Sequence, residues 1–498
     1  MKYAIWRRRQ DKVSQKLALR EQVVVCGSMR KPGKKESSEL SKLSLDELMK
    51  AQQEVIEELA RRKAEELPEA MTMSQMEQAA EAIKHQSGPP AILAMLSRMR
   101  PEKPTAKACP RCGKRAKVKA RDRERTVQSL SGPVTFKRNY HYCEDCRHGF
   151  YPVDYLLGLP ADGDMTAELE RRILDFGVND TFAEAADRWQ MHYSLAISAH
   201  LIRLVVERVG RRCQAADEHR LQVELLPEPK PGPVLVVQND GSMLPLRGQE
   251  SWKEAKVAVL YRHSPAPPGS SRKRRERKPS ARYVAVLGQQ EEFAKSLKSA
   301  LVVEHTQPIQ EIVWVGDGAA SNWCLADQLA PKATQILDWY HAVEHAVDGG
   351  KALLGEQCPY LELWKKRAEQ LLMTGQINQL IGELMDCLSE ATDSQLKAVN
   401  DLIRYYRKNS GRMAYQLFRQ RGLPIASGVV ESAHRHVLQK RMKRAGQHWS
   451  PAHARRMVGL RAAYRTSGPS RFYGAIDRAH RATPNTERSG VPSYRIAA

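Results

Sequence analysis

Two apolar runs of the chain end in the same way, at an aspartate followed by a glycine. Residues 234–239 lead into Asp240 and Gly241, and residues 312–316 lead into Asp317 and Gly318. Each run has the length and the branched apolar residues that are typical of a β-strand. A single Asp-Gly pair usually marks an ordinary turn. Two such pairs at matching strand ends indicate instead that one sheet edge carries both carboxylates.

The order of elements around these aspartates predicts a particular fold. Three strand-like runs (233–239, 256–261 and 282–287) are followed by a helix (291–300), a fourth strand (311–315), another helix and a fifth strand (333–337). This order is typical of the ribonuclease H-like fold, in which the first and fourth strands are adjacent and parallel. We therefore expect a multidomain α/β protein whose ribonuclease H-like core begins at residues 230–341.

Glu431, in a helix-like run, is the third acid of interest. Two carboxylates about 4 Å apart repel by about 4 kcal/mol at an effective dielectric constant of 20, so converging acids need a cation. Carboxylate oxygens suit Mg²⁺ or Mn²⁺, and two such ions promote in-line displacement at phosphorus. We expect Asp240 to bridge two ions, with Asp317 and Glu431 each holding one. Glu431 can alternatively pair with Arg435 one helical turn away.

Four of the nine cysteines form two Cys-x-x-Cys pairs. Cys109 and Cys112 precede a β-like run at residues 132–142, and Cys143 and Cys146 follow it. Two such turns complete a tetrahedral site with no open position, which predicts one structural Zn²⁺. Residues 109–158 are therefore interpreted as a zinc ribbon.

The net charge of +23 is concentrated in three segments. Residues 1–35 carry a net charge of +9, residues 264–282 carry +6 and residues 435–498 carry +12, which leaves −4 for the rest of the chain. Basic arms on a nearly neutral body are typical of a protein that binds nucleic acid. The sequence has neither a membrane-spanning run nor a secretory signal, so a soluble, cytoplasmic and nucleoid-associated protein is expected.

The segments before the core have distinct patterns. A basic arm (1–37) precedes a helical region (38–85), in which Ser44 and Glu47 form a predicted capping box. The apolar stripe of this helix can pair two protomers or pack on its own chain. A proline-containing stretch (86–108) is interpreted as a linker.

Residues 164–215 predict three short helices, the last of them beginning at Ser194. This spacing is typical of a helix-turn-helix, in which His200 and Arg203 on the third helix would contact DNA. Any three-helix bundle gives the same pattern, so both interpretations stay open.

Two further basic segments are predicted to bind DNA phosphates. One interrupts the second and third strands of the core, and the other follows Glu431 on its helix. The residues concerned are Arg272, Lys273, Arg274, Arg275, Arg277 and Lys278 in the first, and Lys440, Arg441, Lys443 and Arg444 in the second.

The motifs that carry the acids are distinctive as a set. They are Gln238-Asn-Asp240-Gly-Ser, Trp252-Lys-Glu-Ala-Lys, Val315-Gly-Asp317-Gly-Ala, Leu337-Asp-Trp-Tyr-His341-Ala, Gly428-Val-Val-Glu431-Ser and Gln439-Lys-Arg-Met-Lys443. From residue 109 to about 465 the chain resembles the bacterial insertion-sequence DDE transposases of the ISKra group. The resemblance implies a ribonuclease H-like core with a helical insertion (342–422) before the last core segment (423–465), and a basic tail (466–498).

The resemblance also implies a function. Such an enzyme binds the terminal inverted repeats of its element as a homodimer or higher oligomer, and carries out Mg²⁺-dependent cleavage and strand transfer of double-stranded DNA. Asp338-Trp-Tyr-His341 is similar to the Asp-x-x-His element of Mutator-like transposases, which places His341 near the active site; a strand-end cap is the other interpretation of this histidine. A copy that only binds DNA, or a nuclease that does not join strands, remains an alternative function.

Overall fold

The computed structural model describes residues 42–65, 72–98, 106–159, 163–193, 195–229, 232–248, 252–265, 281–386 and 392–482. The chain divides into two compact units, Met1–Met95 and Leu96–Ala498. No helix in these described ranges has the length and apolar character needed to cross a membrane.

The first unit contains helix α1 (Leu45–Glu65) and most of helix α2 (Met73–Arg98). The capping box before α1 is confirmed: the Ser44 N–H donates to Glu47 Oε2 over 2.7 Å, and the Glu47 N–H donates to Ser44 Oγ over 3.3 Å. The predicted linker is partly wrong, because α2 runs through Pro89 and Pro90 to Arg98. The run of strong helix formers after the prolines favours continuing the helix over ending it.

The second unit begins with a four-stranded antiparallel sheet. Its strands β1 (Lys107–Ala108), β2 (Arg115–Ser129), β3 (Gly132–Cys143) and β4 (His148–Phe150) pair in sequence order. The short helix α3 (Pro152–Leu156) follows. The buried residues at its cysteine end form a small core of their own, separate from the main core of the unit.

A helical layer follows, formed by α4 (Ala167–Asn179), α5 (Phe182–His192), α6 (Ala199–Ala215) and α7 (Glu218–Leu225). The side chains of Thr166, Thr181 and Ser198 cap the first three helices by accepting an N–H of the first turn. Helix α6 starts five residues later than predicted, and it packs against α4, α5 and two C-terminal helices.

The central sheet consists of β5 (Val234–Leu244), β6 (Lys253–His263), β7 (Ala281–Val286), β8 (Glu311–Gly316) and β9 (Thr334–Leu337). The strands lie in the order β7-β6-β5-β8-β9, with β5, β8 and β9 parallel to one another and the other pairs antiparallel. The predicted strands, and the predicted parallel pairing of the first with the fourth, are confirmed.

The remaining helices surround this sheet or extend from it. Helix α8 (Gln290–Glu304) precedes β8, and α9 (Ala320–Leu329) connects β8 to β9. The later elements are α10 (Trp339–Leu354), α11 (Leu361–Met373), α12 (Ile377–Asp386), α13 (Asp393–Asn409), α14 (Tyr415–Gln420), α15 (Gly428–Ala433), a π-helical segment (His434–Gln439), α16 (Lys440–Met442), α17 (Pro451–Ser467) and α18 (Phe472–Ala482).

The region predicted as a basic tail contributes to the core. Phe472 and Ile476 of α18 are fully buried, and Tyr473 donates its hydroxyl to Glu170 over 2.5 Å. Glu170 is itself buried and also accepts from Arg208 and Arg212 of α6. A buried carboxylate requires such partners, so this cluster joins the last helix to the helical layer.

Candidate active site at the sheet edge

Asp240 and Asp317 lie at equivalent positions on adjacent parallel strands. The pairing of β5 with β8 runs from Val234 opposite Glu311 to Gln238 opposite Val315, and the same register continued by two residues sets Asp240 opposite Asp317. Neighbouring strands are about 4.8 Å apart. Asp240 does not end its strand as predicted, because β5 continues beside β6 to Leu244; it lies where the pairing with β8 stops.

A glycine is required directly after Asp317. Gly318 has a φ of 94°, which L side chains rarely adopt, and a Cβ there would lie 2.7 Å from a ring carbon of Tyr405. The Tyr405 hydroxyl donates to the carbonyl of Asp317 over 3.0 Å. The turn after β8 is thus held closely against α13.

A chain of buried hydrogen bonds orients the Asp317 carboxylate. Trp314 Nε1 donates to Asn239 Oδ1 over 2.7 Å, and Asn239 Nδ2 donates to Asn322 Oδ1 over 2.6 Å. Asn322 Nδ2 then donates to Asp317 Oδ1 over 2.7 Å, and the Ala319 N–H donates to the same oxygen over 3.0 Å. The network links β5 to β8 on the face of β5 opposite Asp240, because side chains alternate along a strand.

One face of β5 holds the segment that carries Glu431. Gln238 accepts the Val430 N–H over 3.1 Å and donates to the Ala426 carbonyl over 3.0 Å. Two residues further along β5, Asp240 lies 3.2 Å from His434, measured between Oδ2 and Nε2. Two residues further again, Ser242 Oγ accepts from Lys443 Nζ over 2.7 Å. Residues 426–443 therefore run along β5 from the buried part of the sheet to its edge.

The surroundings of Asp240 lower its pKa below the ordinary value for an aspartate, so it stays an anion although it is largely buried. Burial alone would raise the pKa of this carboxyl, but the contact with His434, the Gly241 N–H and the charge of His341 together lower it. The Gly241 N–H donates to Asp240 Oδ1 over 2.7 Å. This carboxylate is thus available as an anion at the sheet edge.

Asp338, at the end of β9, joins three parts of the site. Its side chain is fully buried; it caps α10 by accepting the His341 N–H over 2.9 Å and also accepts the Ser427 N–H at the start of the Glu431 helix. Its own N–H donates to the carbonyl of Gly316, which precedes Asp317. The backbone positions of Asp317, His341 and Glu431 are therefore tied to one residue, Asp338, through its carboxylate and its N–H group.

His341 and His345 lie on one face of α10, one turn apart. His341 Nδ1 is 3.6 Å from Glu344 Oε2, and the His345 ring packs on Tyr405 with centroids 4.0 Å apart. Burial and the charge of His341 lower the pKa of His345, although Asp348, Glu344 and Asp317 oppose this. His341 thus lies close enough to influence both Asp240 and His345.

Glu431 is exposed on α15. Among the described residues, the four cysteines are the only group of three or more His, Cys, Asp or Glu residues whose ligand atoms all lie within 4.8 Å of one another. Asp240, Asp317 and Glu431 therefore share an edge without forming a closed ligand set.

The four cysteines of the ribbon form a group that can hold a metal such as zinc. The Sγ atoms of Cys109 and Cys146 are 3.5 Å apart, as are those of Cys112 and Cys143. A tetrahedral ion with Zn–S bonds of about 2.3 Å requires sulfur separations of about 3.8 Å. Burial raises the pKa of Cys109, but hydrogen bonds from the N–H groups of Arg111 and Cys112 and from the thiols of Cys146 and Cys112 together lower it to about 7. The sulfurs are thus arranged for one shared ion.

The predicted DNA contacts have different surroundings. Arg441 is fully buried, stacked between the rings of Phe182 and Trp449 at 4.9 Å from each centroid, so its proposed contact with DNA is wrong in this structure. Its Nε donates to the carbonyl of Gly177 over 3.4 Å, and burial lowers its pKa to about 10. Lys440 is exposed, and Lys443 bonds Ser242.

Other predicted contacts lie around one cleft. Arg203 and Arg444 line a cleft of about 930 Å³ together with Arg247 and Arg456. Arg444 pairs with Glu184, and Arg203 bonds Glu207 over 2.8 Å and lies 3.2 Å from His200, which is exposed. The predicted contacts Arg272, Lys273, Arg274, Arg275, Arg277 and Lys278 lie outside the described residues.

The sequence analysis did not assign a role to three residues of this site: Asn239, Asn322 and His434. Asn239 and His434 adjoin or closely follow the predicted acids, so proximity in sequence was the available signal. Asn322 had no comparable signal, because its role depends on which turn of α9 faces β8.

Comparisons with known proteins give three findings. No protein of curated function matches the sequence. The Drosophila P element transposase strand transfer complex is similar over 66% of this chain and 82% of that chain, at 10% sequence identity and a TM-score of 0.24, which is below the level of a shared fold. A family model described as "Uncharacterised protein family (UPF0236)" matches residues 67–475, and the chain belongs to that family.

Proposed function

We propose that this protein is a DDE transposase that cleaves DNA at the ends of an insertion sequence and joins the released ends to target DNA. The observation that carries the proposal is the meeting of three chain segments at one sheet edge. Asp240 and Asp317 follow the paired parts of two adjacent parallel strands, and the helix of Glu431 packs against the same strand as Asp240.

The strand order supports a ribonuclease H-like core. A β7-β6-β5-β8-β9 sheet, with the first three strands antiparallel and the last two parallel to β5, is the arrangement expected of that fold. Helices α10 to α14 separate the sheet from Glu431, as expected of a helical insertion.

The residues at the edge fit divalent metal ions in charge and in donor type. Asp240 is anionic, Asp317 already receives two hydrogen bonds on one oxygen, and Glu431 is exposed and free to reorient. Asp240, Asp317 and Glu431 would hold Mg²⁺ or Mn²⁺, which supplies charge stabilisation at phosphorus and activates the attacking oxygen. His341, which is partly exposed on the first turn of α10, would contact a DNA phosphate.

DNA would reach this edge across basic surfaces. The cleft lined by Arg203, Arg247, Arg444 and Arg456 lies beside the loop after β5, so it adjoins the strand of Asp240. Together with Lys440, Lys443 and the basic segment 272–278, these side chains would contact phosphates and give a binding affinity that falls with salt. A zinc ion held by Cys109, Cys112, Cys143 and Cys146 would stabilise the ribbon.

The direct test is incubation of the purified protein and Mg²⁺ with a labelled duplex that carries the element's end. We expect wild-type protein to release 3′-hydroxyl ends and join them to a target duplex. Asp317→Asn should abolish cleavage and keep DNA binding, whereas Asp401→Asn, an exposed aspartate of α13, should behave as wild type. Equal cleavage by Asp317→Asn would overturn the assignment of the acids.

Two other functions give different outcomes in the same assay. A nuclease with this core would cleave without joining, and a DNA-binding protein would retain the labelled duplex without cleaving it. All three acids are present, which favours the catalytic interpretation over binding alone.

A further inference from the structure

His434 is a buried histidine whose ring faces the carboxylate of Asp240. It is 5% exposed, and neither ring nitrogen has a hydrogen-bond partner among the described residues. Nε2 nevertheless lies 3.2 Å from Asp240 Oδ2, so the two groups are close without being aligned as donor and acceptor. A buried imidazole ring needs a polar neighbour, and the one that His434 faces is a carboxylate of the acidic edge.

The separation of these two atoms matches that of two ligands on one ion. Neighbouring ligands in an octahedral shell, each about 2.1 Å from the ion, are about 3.0 Å apart. In that arrangement the lone pairs of both atoms point to the ion and not to each other. A close approach without hydrogen-bond alignment is the expected result.

The helix that carries Glu431 places it on the same side as His434. Glu431 and His434 are three residues apart, and residues with this spacing lie on one face of a helix. Glu-x-x-His pairs of this kind supply metal ligands in carboxylate-rich metal proteins. His434 also begins the π-helical segment, whose carbonyls at His436 and Val437 accept from the buried Arg461. Irregular helical turns of this type are frequent at functional sites.

We propose that His434 and Asp240 are ligands of the same divalent ion, and that His434 makes this site prefer Mn²⁺ to Mg²⁺. The proposal rests on the acidic edge of the proposed function and adds a ligand to it. Imidazole nitrogen binds first-row transition ions well, whereas Mg²⁺ selects oxygen ligands. Glu431 lies one turn away and can complete the shell by a rotamer change.

The experiment measures metal binding by the full-length protein without DNA. Titration calorimetry with Mn²⁺ and with Mg²⁺ compares wild type, His434→Gln and His305→Gln, an exposed histidine at the end of α8 that serves as the matched control. We expect His434→Gln to weaken Mn²⁺ binding by about 10-fold or more, as loss of a ligand should cost at least as much as loss of its supporting residue. Mg²⁺ binding should change little, and the control should match wild type.

A spectroscopic measurement shows whether His434 coordinates the bound Mn²⁺ or only lies near it. Pulsed electron paramagnetic resonance of bound Mn²⁺ should show coupling to an imidazole ¹⁴N in wild type and not in His434→Gln. Asp240→Asn, which keeps His434, should also weaken Mn²⁺ binding, so the test does not depend on one variant. Unchanged Mn²⁺ affinity in folded His434→Gln, or no ¹⁴N coupling in wild type, would overturn the proposal. If the protein binds Mn²⁺ as expected but does not cleave DNA, the result would count against the transposase proposal and not against the metal site.

Discussion

Asp338 is the residue on which the geometry of the site most depends. Its buried carboxylate accepts the N–H groups of His341 and Ser427, and its N–H bonds the carbonyl that precedes Asp317. Asp338→Ala removes both acceptor oxygens and leaves two N–H groups unpaired, so we expect it to lower the free energy of unfolding by about 3 kcal/mol. Urea unfolding measures this change.

The matched control for Asp338 is Asp348 on the same helix. The side chain of Asp348 is 62% exposed and forms an ion pair with Lys351. Exposed ion pairs contribute between about 0 and 1 kcal/mol, so Asp348→Ala should be nearly neutral. Equal destabilisation by both substitutions would show that Asp338 does not hold the three segments together.

Individual residues differ in how far their roles could be predicted. Asp240 and Asp317 were identifiable because a strand pattern and a following glycine are local signals. The burial of Arg441 was not identifiable, because its charge suggests a surface residue. In the structure the aromatic rings of Phe182 and Trp449 enclose it. Asp338 was noticed only beside His341, since the three chain segments it joins are up to 111 residues apart in sequence.

At the scale of elements, Glu184 and Arg444 connect α5 to the loop that follows the Glu431 helix. The hydrogen bond from Arg444, together with those from Thr181, lowers the pKa of Glu184 to about 2. A depressed pKa contributes stability that is present above the unfolded-state value of about 4.3 and is lost as pH falls towards 2. The difference in free energy of unfolding between wild type and Glu184→Gln should therefore be constant above about pH 5 and become smaller below it.

Urea unfolding between pH 7 and pH 3.5 tests this expectation. Glutamine keeps an acceptor for the capping box at Thr181, so the variant removes mainly the charge. Glu362→Gln, at an exposed position in α11, is the control and should show no such dependence on pH. A difference that becomes larger as the pH falls would contradict the assigned ion pair.

Arg461 of α17 maintains the π-helical segment. Its guanidinium donates to the carbonyls of Val437, His436 and Val178, and it is 4% exposed. We expect Arg461→Met to lower the free energy of unfolding by about 3 kcal/mol or more, because the buried carbonyls lose charged donors. Hydrogen exchange should be faster at residues 434–439 in particular. Arg471→Met, at an exposed position, should leave exchange in this segment unchanged.

Helices and strands could be predicted where the sequence pattern that specifies them lies within the element itself. The strands of the central sheet follow their apolar runs, and each predicted strand is present within a few residues. The end of α2 and the inclusion of α18 in the core were missed, since Pro89 and Pro90 suggest a break and the arginines around α18 suggest a solvated tail. In both cases packing or helix propensity outweighs the local signal.

At the scale of the whole molecule, the buried apolar residues of the second unit form two separate cores, which should differ in what stabilises them. The cysteine end of the ribbon has a small core of Cys109, Ala116, Cys143 and Phe150, separate from the main core that extends from Met165 to Ala479. A core of this size cannot by itself stabilise a module of some 45 residues. The ribbon should therefore depend on its metal, whereas the sheet and helices should not.

This division predicts two thermal transitions, of which one requires zinc. We expect one zinc ion per chain, with a folding contribution on the order of 10 kcal/mol. Chelation, or Cys112→Ser, should abolish the ribbon transition in calorimetry and leave the main transition within a few degrees of its original temperature. Cys324→Ser, at an exposed cysteine of α9, should retain zinc and both transitions. If the zinc-free protein kept the ribbon transition, the metal would not be structural; if chelation unfolded the whole unit at once, the two cores would not be independent.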